Sequence, residues 1–178
     1  MIRVRCTAAA MVLLLGLVGC ASNSTETSRP ASPTEGNTSV APELTWQDAK
    51  ARTQAMELEI AGLFPQDKVT AVDQMPEGVL IECGDSSVNW HGASTVILDE
   101  GTEPEPLVRE LEAKYRDSRF DIKVRDPAPA GHYEVQLRSP DTAEMYIIKR
   151  GVEPATIRIA SGSDCFPWPE GEYMGGKF

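Results

Sequence analysis

Apolar residues recur with two different periods after residue 44, and the period predicts the type of each element. One stripe is spaced by three and four residues: Trp46, Ala49, Thr53, Met56, Ile60 and Leu63. This spacing predicts a helix that begins at a Thr45 cap, with Asp48 three residues later, and ends before Pro65. The stripe favours a core face over a partner-binding face. A second helix is predicted after residues 102–105, where Leu107, Leu111 and Tyr115 follow at intervals of four.

Seven stretches carry the signals of β-strands, and the last four alternate most cleanly with a period of two. They cover residues 68–73, 78–83, 87–98, 120–125, 133–138, 145–150 and 157–159. Alternation with one polar face indicates an antiparallel sheet that is solvated on one side. Short connections favour meanders, and the element order is close to two copies of a helix-then-meander unit. The sequence therefore predicts one α+β domain over residues 44–178, an antiparallel sheet of six to seven strands with two helices packed on one face.

The N-terminal residues have the features of an export signal. Arg3 and Arg5 precede an apolar run of 11 residues, 8–18. A membrane-spanning helix needs about 20 residues, so the run has the length of a signal-peptide core instead. The run ends in Leu-Val-Gly-Cys at residues 17–20, which resembles the lipobox of bacterial lipoproteins. The resemblance implies removal of residues 1–19 by cleavage between Gly19 and Cys20, and a diacylglyceryl group on the Cys20 thiol.

Residues 21–43 are mostly Ser, Thr, Pro, Ala, Gly and Asn, with Val40 as their only large aliphatic residue. Such a stretch buries too little apolar area to offset its ordering entropy, so residues 20–43 are predicted to form an acylated, disordered tether. Removing Arg3 and Arg5 leaves 15 basic against 27 acidic residues, a net charge of −12. This charge argues against nucleic acid as a partner and against electrostatic binding to anionic lipid. We therefore expect the lipid on Cys20 to hold the protein on the extracytoplasmic face of the cell membrane.

The cysteines predict one disulfide. Of the four, Cys6 would leave with the signal peptide and Cys20 would be acylated, so Cys83 and Cys165 remain. Two thiols in an exported domain most simply pair with each other. Reactive thiols are the alternative, although a redox pair more usually has two residues between its cysteines.

Candidate catalytic and metal-binding residues are few. The only histidines after residue 20 are His91 and His132, and no serine lies in a Gly-x-Ser-x-Gly elbow. Phosphate-loop, zinc-protease and EF-hand spacings are also missing from the sequence. An acidic group of the kind that binds Ca²⁺ is present, but it is more typical of a solvated turn before a helix: Asp99, Glu100, Glu103 and Glu105. We expect no cofactor and no metal, and a protein that is not an enzyme.

Aromatic residues return near the C-terminus in a Gly- and Pro-rich segment. Phe166 and Trp168 follow Cys165 directly. The favoured interpretation is that both rings cap the core beside the disulfide. The alternative is an exposed aromatic contact for a wall component or partner protein, and the burial of Trp168 distinguishes the two.

Several motifs together are similar to those of small envelope lipoproteins of actinobacteria, of the LppA-like kind. They are the lipobox, the tether, a leading helix, Ile-Glu-Cys-Gly at residues 81–84 and Ser-Gly-Ser-Asp-Cys at residues 161–165. The resemblance implies a role in the cell envelope but no particular activity, and it assigns no functional residues. We expect a non-catalytic binding or structural module that contacts an envelope protein or wall component. The alternatives are a small-ligand or lipid carrier with a cavity between sheet and helices, and an envelope hydrolase with His91 beside a carboxylate in a cleft.

Overall fold

The computed structural model describes residues 43–129 and 131–178, which form two helices and one eight-stranded antiparallel sheet. The helices are α1 (Trp46–Gly62) and α2 (Pro104–Tyr115). The strands are β1 (Val69–Gln74), β2 (Val79–Gly84), β3 (Ser87–Leu98), β4 (Asp121–Arg125), β5 (Glu134–Arg138), β6 (Met145–Arg150), β7 (Thr156–Gly162) and β8 (Phe166–Pro167). The predicted α+β class is confirmed. The additional strand, β8, has only two residues and is too short to show a period in the sequence.

Residues 1–42 lie outside the described residues. They carry the predicted signal peptide, the Gly19–Cys20 cleavage site, the acylated Cys20 and nearly all of the tether. Among the described residues, no helix combines the length and the apolar character needed to cross a membrane.

The strand order is β1-β3-β7-β6-β5-β4, and β2 and β8 also pair with β3. The run from β4 to β7 is the predicted meander, because each strand pairs with the next along the chain. The prediction of a meander is wrong for β1, β2 and β3. Since β3 has 12 residues, β1 and β2 lie end to end along one of its edges, and β7 and β8 occupy the other.

The hydrophobic core lies between the sheet and both helices, as predicted. The strand register places Ile159 beside Ile148, and Ile148 beside Val135, in one row across β7, β6 and β5. All three side chains are fully buried and belong to one cluster with Ile60 of α1 and Leu111 of α2. Both helices therefore cover the same face of the sheet.

Helix α1 begins and ends where the sequence predicts. The Asp48 backbone N–H donates to Thr45 Oγ1 at 3.2 Å, and the Thr45 hydroxyl donates to the Asp48 carboxylate at 2.8 Å. The stripe of α1 also contains Glu57, which the hydrophobic pattern omitted because it is charged. Glu57 is fully buried, and Oε2 accepts from Ser94 Oγ at 2.6 Å and from Gln74 Nε2 at 3.0 Å. The Ser161 hydroxyl donates to the other carboxylate oxygen, so α1 is joined by hydrogen bonds to β1, β3 and β7.

The predicted disulfide is confirmed. Cys83 in β2 is bonded to Cys165, which lies between β7 and β8, and 82 positions of sequence separate them. The bond connects the end of β2 to the segment between β7 and β8, beside the start of β3.

Candidate binding surface on the open face of the sheet

The helices leave one side of the sheet uncovered, and we call that side the open face. Along each strand its residues alternate with those of the core, so that Arg158 lies next to the buried Ile157 and Ile159. The register places Arg158 directly beside Lys149 of β6, and Lys149 beside Glu134 of β5. His91 of β3 belongs to the same face, since it alternates with the buried Trp90.

Exposed apolar side chains gather at one end of the open face, and we call this group the apolar corner. It consists of Met75, Val79 and Ile81, which are 41%, 51% and 47% exposed. Val79 and Ile81 lie on the same face of β2, because side chains alternate along a strand. In the structure the residue of β2 that faces the core is Leu80, which is buried, so Val79 and Ile81 point outward. Contiguous exposed apolar surface on a folded domain is typical of an interaction site.

A groove of about 430 Å³ is lined by Met75 and Val79 of the apolar corner and reaches His91 and Arg158. The His91 ring is held close to the sheet by Gly162, where a Cβ atom would lie 3.0 Å from His91 Cε1. Burial lowers the pKa of His91, which favours the neutral imidazole. The groove therefore combines an apolar lining with two cations, Arg158 and Lys177, of which Lys177 is paired with Glu77 at 3.0 Å.

Four charged residues in a row across β7, β6, β5 and β4 form what we call the cationic row: Arg158, Lys149, Glu134 and Arg125. Glu134 lies 3.7 Å from both Lys149 Nζ and Arg125 Nη1, and it also accepts from Gln136 Nε2 at 2.7 Å. Arg158 instead donates to Thr95 Oγ1 at 3.1 Å and contacts the Met75 sulfur at 3.2 Å. In the part of the chain that the structure describes, Arg158 has no carboxylate partner.

The charge of the open face is opposite to that of the domain. Five basic and three acidic residues point from the strands into it: Lys123, Arg125, Arg138, Lys149 and Arg158 against Asp73, Asp121 and Glu134. Residues 43–178 hold 14 of the 17 basic residues and 25 of the 27 acidic ones, which is a net charge of −11. A local charge of +2 on this face therefore leaves −13 on the rest of the domain.

The aromatic residues near the C-terminus separate into one core residue and one at the surface. Phe166 is only 2% exposed, which corrects its assignment as a candidate surface contact and supports the core-capping interpretation. Trp168 is half-buried, packs edge-on against Phe178 at 5.6 Å between ring centroids, and lines a shallow groove with Trp46. Its indole N–H donates to the Glu172 carbonyl at 3.2 Å.

The remaining residues named in the sequence analysis do not meet in one place. His132 lies in the turn before β5, since that strand begins at Glu134. In the acidic group at the start of α2, Glu105 of the first turn is paired with Arg109 at 2.8 Å, and Glu103 is the N-cap residue without a side-chain hydrogen bond. No group of three or more His, Cys, Asp or Glu side chains is placed to hold a metal ion in the described ranges.

Sequence reasoning missed the open face as a site. The signal was present in the alternation, because Lys149 and Arg158 occupy outward positions in β6 and β7. It could not be interpreted without the register that makes these two residues neighbours.

Comparison of the chain with protein-family models, with curated proteins and with solved structures found no match.

Proposed function

We propose that this protein is a lipoprotein anchored on the extracytoplasmic face of the cell membrane, and that its folded domain is a non-catalytic binding module. The lipobox pattern at residues 17–20 and the tether that follows support the anchoring. The Cys83–Cys165 disulfide is consistent with folding in an oxidising compartment.

The open face carries the binding part of the proposal. It combines the apolar corner with the cationic row, whereas the rest of the domain surface is acidic. Surface that is both apolar and of opposite charge to its surroundings favours association with a complementary envelope component. The alternative of a carrier with a cavity between sheet and helices has less support. Ile148 and Ile159, at the centre of that layer, are fully buried in one packed cluster.

Cell fractionation with mass spectrometry tests the anchor. The wild-type protein is expected in the membrane fraction, with the mass of residues 20–178 plus diacylglycerol and two hydrogens fewer for the disulfide. A Cys20→Ser variant is expected to lack the lipid. A wild-type chain that is uncut or unacylated would contradict the proposal.

Site-specific photo-crosslinking tests the binding surface. A photoreactive residue replaces Ile81 on the open face or, as the matched control, Leu58 on α1, because these side chains are 47% and 48% exposed. In intact cells we expect a discrete crosslinked product from position 81 and none from position 58. Equal crosslinking from the two positions would show that the open face has no special role.

A further inference from the structure

The cationic row contains an electrostatic conflict at its β6–β7 end. Lys149 and Arg158 are directly opposite each other in the register, and like charges in that position destabilise a sheet. Glu134 lies on the far side of Lys149 and is shared with Arg125. Among the described residues no carboxylate forms an ion pair with Arg158, in a domain whose acidic residues outnumber its basic ones.

A second groove lies beside Lys149 and Arg158. It has a volume of about 360 Å³ and is lined by Lys149, Arg150 and Arg158 together with Thr95 and Thr156, although the Thr156 hydroxyl already donates to the Glu153 carbonyl at 2.6 Å. Cationic nitrogens and hydroxyl groups are the donors that bind phosphate and carboxylate oxygens. The lining also includes Glu153, so the cations outnumber the acids by three to one.

Arg158 borders both this groove and the apolar groove beside Val79. Arg158, which has no carboxylate partner, is therefore adjacent to exposed apolar side chains that neither helix covers. Glu77 at the edge of the apolar groove is paired with Lys177 at 3.0 Å, which leaves Arg158 as the unpaired charge between the two grooves.

From this juxtaposition we infer that the open face binds an anionic amphiphile, with its phosphate or carboxylate group at Lys149 and Arg158 and its apolar chain along Val79 and Met75. This inference rests on the proposed function and names the chemistry that the open face recognises. Charge complementarity selects an anion over a cation, since a cationic headgroup would meet Lys149 and Arg158. The apolar groove selects an amphiphile over a free anion, because burial of a chain adds to the affinity.

Calorimetric titration of the full acylated chain in nanodiscs of neutral lipid tests the inference, with empty nanodiscs as the blank. The probes are octyl phosphate below its micelle threshold, inorganic phosphate and octyltrimethylammonium. We expect octyl phosphate to bind at least about tenfold more tightly than inorganic phosphate, and the cationic probe not to bind. Equal affinity for the two phosphates, or binding of the cationic probe, would overturn the inference.

Two variants separate the two halves of the site. Arg158→Gln is expected to weaken binding of octyl phosphate roughly tenfold or more, whereas Lys123→Gln, which removes the same charge from the far edge of the same face, leaves it unchanged. Val79→Ser is expected to weaken octyl phosphate binding and to leave inorganic phosphate unaffected. Equal losses in Arg158→Gln and Lys123→Gln would mean that only overall charge matters, and would overturn the assigned site.

The crosslinking result keeps the two proposals distinguishable. If octyl phosphate does not bind but position 81 still crosslinks in cells, only the inferred ligand class is wrong. If position 81 does not crosslink either, the proposed binding surface is wrong as well.

Discussion

The two faces of the sheet use the same strands in opposite ways. On the covered face, Ile148 and Ile159 are fully buried beneath both helices. On the open face, the alternate residues of the same strands are Lys149 and Arg158, directly opposite each other without a helix above them. Burial of side chains on the covered face stabilises the fold. The charged and apolar side chains of the open face contribute little to stability, which is why we assign them to binding.

Each face also holds a buried carboxylate, Glu57 on the covered side and Glu134 on the open side, and their surroundings differ. Glu57 on the covered side is bound by neutral donors, two serine hydroxyls and one glutamine amide. Glu134 on the open side is nearly as buried, but its neighbours Lys149 and Arg125 are about one third exposed. Loss of Glu57 would leave buried donors without partners, whereas solvent can compensate the partners of Glu134.

The largest expected effect comes from the disulfide beside the apolar corner. In the chain-entropy model, closing a loop of this length stabilises the fold by about 4–5 kcal/mol. We expect the double variant Cys83→Ala/Cys165→Ala to lose stability of that order in urea unfolding. A loss below about 1 kcal/mol would show that packing alone fixes this corner.

Truncating an isoleucine on each face should lower the free energy of unfolding by amounts that differ several-fold. Ile148→Ala removes a fully buried side chain and is expected to cost about 3 kcal/mol, whereas Ile81→Ala on the open face is expected to cost less than about 1 kcal/mol. Chemical denaturation of both variants measures the difference. Similar losses would mean that the open face is covered in the free protein.

Replacing the buried carboxylates should also cost more stability on the covered face than on the open face, by a smaller margin than for the isoleucines. Glu57→Ala is expected to cost about 2 kcal/mol or more, because Ser94, Ser161 and Gln74 would lose a buried acceptor. Glu134→Ala is expected to cost less than about 1 kcal/mol, since Arg125 and Lys149 can be hydrated. The reverse order in denaturation experiments would contradict the assignment of Glu57 as a structural link between α1 and the sheet.

The smallest expected effect is a pH dependence from His91. Burial lowers its pKa in the folded state, so the unfolded chain takes up the proton first as the pH falls. The contribution of His91 to stability is therefore retained above its unfolded pKa of 6.5 and declines below that value. Comparing His91→Gln with the wild type from about pH 8 to about pH 5 should show a shallower decline in the variant. Identical slopes would contradict a buried, neutral His91.

Local patterns predicted the parts of the fold that local physics determines. The Thr45 cap, the start of α2, the β4–β7 meander and the pairing of Cys83 with Cys165 follow from spacing and composition. The position of β1 and β2 along β3 depends on the length of β3, which no local pattern links to its partners. Glu57 was missed because its burial requires Ser94 and Ser161, which lie far away in sequence. The candidate site was missed for a similar reason, since Arg158 and Lys149 become neighbours only through the register.

Methionine oxidation in intact cells tests most directly whether the open face is the contact surface. Met75 lies in the apolar corner and Met56 lies on α1, so each thioether reports on one side of the domain. The rate of sulfoxide formation is measured by mass spectrometry in cells and again in the protein extracted from them. We predict that Met75 is oxidised more slowly in cells than after extraction, while Met56 changes little. Equal ratios for the two methionines would contradict a bound partner on the open face.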